Sequence, residues 1–115
     1  MKASTKTKKE LLVVYDVVGS FWEGLACARK SNLWLHIRRN GIPAYKQRYA
    51  RVYSFSGGFA PAKMKGGKWL HIRHSGAPAY KRRFLYVGPF SHGLATACSE
   101  LGTEFKIHPD GTQAD

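Results

Sequence analysis

Acidic residues are absent from the whole middle of this chain. None occurs between Glu23 and Glu100, while Lys and Arg run through that stretch from Arg29 to Arg83. Over all 115 residues there are 19 Lys and Arg against 7 Asp and Glu, and the pI is near 10.1. A globular surface ordinarily intersperses both signs, so this one-sided charge implies a positive field seeking a polyanion. The same gap removes any carboxylate that could serve there as general base, and no nucleophile motif replaces it. A non-enzymatic protein is expected.

Cysteine is scarce too. Cys27 and Cys98 are too few for a disulfide scaffold and read as small buried hydrophobes with reduced thiols. No apolar run approaches the ~18–20 residues of a membrane span. The opening MKASTKTKKE lacks the apolar core of a secretory signal, so a cytoplasmic protein without membrane contact is expected. His36, His71, His74, His92 and His108 lack the close paired spacing of a structural zinc site, and a positive field disfavours a cation. Neither metal nor cofactor is expected. Gly57-Gly58 and Gly66-Gly67 are loop glycines without the strand-to-helix context of a phosphate-binding fingerprint.

What the chain does have is repetition, which decides architecture before any local reading. Residues 34–49 read WLHIRRNGIPAYKQRY and residues 69–84 read WLHIRHSGAPAYKRRF, a period of 35. A second phrase occurs three times, as FWEGLACA from Phe21, FSGGFAPA from Phe55 and FSHGLATA from Phe90. FKIHPDG from Phe105 restarts the first pattern. WLHIR reads as a short strand ending in a turn, with Asn40-Gly41 or Ser75-Gly76 supplying left-handed geometry. LATACSEL has helical spacing, but the equivalent middle copy contains Pro61, and a helix-interior proline costs about 3 kcal/mol. A strand is therefore expected. LLVVYDVV from Leu11 also reads as a strand. The expected fold is all-β: a short array of about three 35-residue repeats, each of about three antiparallel strands, with no helix. Residues 1–10 are expected to form a disordered basic tail, 11–111 the single domain and 112–115 a disordered end.

These landmarks resemble the WG repeat, a bacterial module of about this length. The resemblance rests on Phe21, Gly24, Leu25 and Ala26, on Phe55, Gly58, Phe59 and Ala60, and on Phe90, Gly93, Leu94 and Ala95. It continues through Trp34, Ile37 and Gly41 and through Trp69, Ile72 and Gly76. The Gly usual after the Trp is Leu35 or Leu70, the usual acid after the Ile is Arg38 or Arg73, and Glu104 stands where a third Trp would. The last unit therefore reads as a degenerate cap. The resemblance implies an all-β interaction array without a shared catalytic site, and leaves the partner open.

Strand alternation would put Trp34, His36 and Arg38 on one face and Leu35 and Ile37 on the other, with Trp69, His71 and Arg73 repeating the pattern. Indole, imidazole and guanidinium in one stripe would suit nucleic acid, since aromatic planes stack on bases and Arg neutralises phosphate. The alternative for each Trp is packing between repeats. Arg39, Lys46, Arg48, Arg51, Lys81, Arg82 and Arg83 complete the candidate set. RNA or single strands are slightly favoured over duplex DNA, because no recognition helix is present. The alternative partner is an acidic protein or a ribonucleoprotein. Open sheet edges would permit a homodimer.

Overall fold

The computed structural model describes residues 5–114. It opens on helix α1 (Lys8–Val14), not on a tail followed by a strand. Thr7 caps the helix: its hydroxyl accepts from the Glu10 N–H at 3.2 Å, and the Glu10 carboxylate accepts from the Thr7 N–H at 3.0 Å. That reciprocal T-x-x-E pair outweighs the strand propensity of the Leu-Leu-Val-Val run, because it satisfies two orphan donors of the first turn. Leu11 is buried while Leu12, Val13 and Val14 stay exposed. The strand expected from Leu11 begins only at Val17, and Lys8–Glu10, assigned above to the tail, form the first helical turn. Residues 1–4 of that tail lie outside the described residues. At the other end, Gln113 bridges to Ile107 and the Ala114 N–H donates to the Lys106 carbonyl at 2.8 Å. The chain there continues the ladder to residue 114.

Between these ends the protein is a row of three antiparallel three-stranded sheets. The first unit contains β1 (Val17–Trp22), β2 (Leu25–Lys30) and β3 (Leu33–Ile37). The second contains β4 (Arg51–Val52), β5 (Ala60–Lys63) and β6 (Trp69–Ile72). The third contains β7 (Tyr86–Val87), β8 (Ala95–Cys98) and β9 (Glu104–Ile107). LATACSEL is thus a strand, as the repeat argument requires. The F-x-x-G phrase makes the first hairpin of each unit. Glu23 and Gly24, Gly57 and Gly58, and His92 and Gly93 all have positive φ, the arrangement whose twist matches that of the strands it joins. The alanines that follow (Ala26, Ala28, Ala60, Ala62, Ala95 and Ala97) are fully buried, small enough to let neighbouring layers approach.

Backbone bridges Trp34–Tyr49 and Trp69–Phe84 carry the chain from one sheet to the next. Register between units is fixed by a glycine notch. Gly41, Gly76 and Gly111 each hold φ near +85° (86, 82 and 85) in the turn after the third strand. A Cβ on Gly76 would lie 2.4 Å from Tyr45 Cγ, and one on Gly111 would lie 2.7 Å from Tyr80 Cγ. At Gly41 the same notch takes Leu11 of α1, whose Cδ2 would be 2.9 Å from an added Cβ. The helix is therefore the N-terminal cap of the array, its leucine standing in for the tyrosine of a preceding unit. Hydroxyls lock the joint: Tyr15 donates to the Gly41 carbonyl at 2.7 Å and Tyr49 to Gly76 at 2.8 Å. Where the third position is Phe84, the Arg82 guanidinium donates to Gly111 instead, at 3.3 Å. The resulting body measures 47 × 27 × 19 Å.

The notch predicts a contrast between glycines of similar backbone geometry. Gly93→Ala, with open space at the added Cβ, should lose about 1–2 kcal/mol for its left-handed backbone alone. Gly76→Ala adds a clash with Tyr45 and should lose about 3 kcal/mol or more, as read by urea denaturation.

Candidate nucleic-acid interface

The thirteen candidate residues separate into three groups. The first is buried. His36 and His71 are fully inaccessible, so the expected Trp–His–Arg stripe does not form. Alternation does hold within the strand, but the imidazole face is covered by the next unit: His36 packs on Phe55 and His71 on Phe90, each at a centroid distance of 4.4 Å. Arg38 and Arg73 lie past the strand ends, in the turns.

Each histidine has a defined structural task. In antiparallel pairing, Tyr53 donates its N–H to the Pro61 carbonyl at 3.0 Å, and an ordinary residue would return the bond. Pro61 has no N–H. His36 supplies the missing donor, its Nε2–H reaching the Tyr53 carbonyl at 2.9 Å. Its Nδ1 is therefore bare, and accepts from the Tyr45 hydroxyl at 2.6 Å. His71 makes the same two bonds although Thr96, with an N–H, stands where Pro61 does: Nε2–H to the Gly88 carbonyl at 2.7 Å and Nδ1 accepting from Tyr80 at 2.6 Å. Burial holds both imidazoles down to a pKa of about 4 and pushes the Tyr45 and Tyr80 hydroxyls well above the usual tyrosine range. Neither pair is open to a ligand.

The second group is tied to the chain. Arg48 directs Nη1 to the carbonyls of Tyr45, Lys46 and Gln47 at 3.0, 2.9 and 3.0 Å. Arg83 does the same for Tyr80, Lys81 and Arg82, at 3.3, 2.6 and 3.1 Å. Both clasp the segment that carries the notch tyrosine. Arg51 lies over the rings of Trp34 and Tyr53, at 4.4 and 4.8 Å, and Tyr53 stacks on Trp69 at 5.7 Å and 13°. The two half-buried indoles thus belong to a ladder on the sheet face, Trp34–Arg51–Tyr53–Trp69, that is filled by the protein itself. The third unit has Tyr86 bonded to Glu104 at the matching places, and the ladder ends there.

The third group shares one edge. Arg38, Arg39, Lys46, Arg73, Lys81 and Arg82 are all exposed. The notches set their order, because each Y-K-x-R segment abuts the turn of the next unit: Tyr45 and Gln47 touch Gly76, and Tyr80 touches Gly111. Turn and basic segment therefore alternate along the array, giving Arg38 and Arg39, then Lys46, then Arg73, then Lys81 and Arg82. Lys6, read from the sequence only as part of the basic tail, joins the first turn through its N–H on the Arg39 carbonyl at 2.8 Å. His74, missed as a member of this edge, sits in the second turn. Its signal was positional: His74 matches Arg39 in the repeat alignment. Among the described residues ion pairs are confined to Lys68–Glu100 and His74–Glu23, so none of the six edge cations is neutralised. Among the same residues no three His, Cys, Asp or Glu side chains meet as metal ligands, and no helix is long and apolar enough to cross a membrane.

A row of stacked β-units with no separate core for each defines a tandem β-repeat protein. The family model described as "WG containing repeat" matches residues 13–34 and 47–69, which fall in the first two units. These two stretches are WG repeats by that match. No curated protein matches it.

Two predictions follow from the buried groups. An unfolded histidine takes up its proton near pH 6.5, whereas the folded ones resist until about 4. Stability should therefore be level above pH 7 and fall steadily from about pH 6.5 to 4, by on the order of 2–4 kcal/mol per histidine. Denaturation midpoints across that range check it. Arg83→Ala should cost about 1 kcal/mol by taking the donor from the part-buried Tyr80 carbonyl, while Lys81→Ala beside it should change thermal stability by less than about 0.5 kcal/mol.

Proposed function

We propose that this protein is a non-enzymatic nucleic-acid-binding module that holds the phosphate backbone along its turn edge. The observation carrying this reading is the ordered row of Arg38, Arg39, Lys46, Arg73, Lys81 and Arg82, all exposed, none paired with an acid among the described residues, and set in sequence by the glycine notches. Repetition matters here: a phosphate chain is itself periodic, and a rigid array presents cations without first ordering them. The long dimension of 47 Å would run beside roughly 14 base steps at 3.4 Å each. Aromatic stacking contributes little on this edge. Phe21 and Phe59 already lie beneath Arg39 and Arg73, at 4.7 and 5.8 Å, so contact is expected to be with phosphate and to carry little base preference.

One observation favours a second reading, docking on an acidic protein segment. An apolar groove of about 500 Å³ is lined by Trp22, Tyr53, Pro61, Val87 and Pro89. Arg51 and Lys63 pair across β4 and β5, two residues along from Tyr53 and Pro61, and would complement acidic side chains at its border. The groove and the turn edge are separated by Phe55, which lines the groove and meets His74 edge-on at 4.4 Å.

If four to six phosphates are engaged, log affinity for a random oligonucleotide should fall against log salt with a slope of roughly −3 to −5. Arg38→Glu/Arg73→Glu should flatten that slope and weaken binding at least about 30-fold, at roughly 1 kcal/mol or more per reversed charge. Lys63→Glu, away from the edge, should leave it nearly unchanged. A flat salt response, or equal loss from both variants, would remove this reading.

A further inference from the structure

At the start of the turn edge, between the first and second units, lies a cleft of about 430 Å³ lined by Arg38, Arg39, His74 and Glu23. We infer that this cleft is a phosphate-binding site whose donors are held at rest by the protein's own carboxylate, Glu23. The inference deepens the reading above, and rests on it only for the source of the phosphate.

The donors already converge on an anion. Glu23 Oε1 accepts from His74 Nε2–H at 2.8 Å, and both Glu23 oxygens lie 3.2 Å from the Gly58 nitrogen, whose N–H points to them. Both donors come from the second unit, while Glu23 stands on the first hairpin turn with φ +53°. Arg38 and Arg39 line the same cleft, and among the described residues neither is ion-paired with a carboxylate. One carboxylate therefore accepts from an imidazole and a backbone N–H, in a cleft that two arginines also line. A phosphate group offers more acceptor oxygens than a carboxylate, and matches the fork of a guanidinium while still accepting from N–H donors. It could take over the partners of Glu23 and add an arginine.

The carboxylate is particular to this place. The equivalent hairpin residues of the later units are Gly57 and His92, so only this turn carries a built-in competitor. With Glu23 seated, an entering phosphate meets a like charge. At about 4 Å in water that repulsion corresponds to roughly fivefold in affinity. Glu23→Gln keeps an acceptor oxygen for Gly58 and His74 and removes only the charge.

The test is an NMR titration of the full chain, wild type and E23Q, with inorganic phosphate, following the Gly58 amide and the His74 ring. E23Q should bind phosphate about fivefold more tightly, with shifts at both groups, and E23Q/R38Q should return to wild-type affinity or below. Equal or weaker binding by E23Q overturns the inference, as does a loss of thermal stability with no gain in binding, which would make Glu23 a tie between units only. Parallel titrations with a single-stranded oligonucleotide, with and without a 5′-phosphate, separate the sources. A gain without the terminal group points to the diester backbone; a gain only with it, or only with inorganic phosphate, points to a phosphate monoester or the free ion. Should phosphate bind while neither oligonucleotide does, the cleft stands and the nucleic-acid reading falls.

Discussion

The packing of an aromatic ring into a notch with no side chain of its own holds this protein together as one body. Gly76 must be glycine twice over: its backbone is left-handed, and the Tyr45 ring occupies the space where a Cβ would stand. The same joint recurs with Tyr80 on Gly111 and, in altered form, with Leu11 on Gly41. Short sheets of this kind are marginal alone. Joined this way they share buried surface and a common orientation, which is what allows positions one repeat apart to face the same direction. Charge on one edge is a consequence of that interlock.

Polar groups inside the array reinforce it at the same points. The Pro61 lesion in the central strand would leave the Tyr53 carbonyl unanswered, and His36 closes it from the preceding unit. The Arg48 and Arg83 clasps hold the segments that deliver the notch tyrosines. A residue type suggestive of binding is in these cases consumed by structure. An unsatisfied buried carbonyl costs about 1–3 kcal/mol, a large share of what a domain this small can have to spare. Arginine and histidine in a basic repeat are therefore not interchangeable with free surface cations.

Architecture was legible because it depends on periodicity. The 35-residue spacing, the positive-φ glycines and the Pro61 argument against a helix in LATACSEL could all be read without coordinates. The helix at Lys8–Val14 was misread because Leu-Leu-Val-Val favours a strand by composition; the T-K-K-E capping box in front of it was the stronger signal. The stripe failed for a different reason. Alternation along WLHI does set Trp and His on one face, but the sequence does not state that the next unit covers that face over His36 and His71. Nor does it state that the strand stops before Arg38. Depth and strand end are tertiary properties. The candidate set was consequently a mixture: Arg38, Arg39, Lys46, Arg73, Lys81 and Arg82 lie on one edge, whereas Arg48, Arg83, His36 and His71 serve the fold.

A phosphate chain lying along the edge would meet equivalent turns of consecutive units. Backbone amide shifts of the isotopically labelled protein, recorded on adding a short single-stranded oligonucleotide, report this residue by residue. The account predicts perturbations in two matched sets, around residues 38–47 and 73–82, with little change along the groove lined by Trp22, Tyr53 and Pro61. Perturbations confined to that groove, or an unchanged spectrum at saturating oligonucleotide, would contradict it.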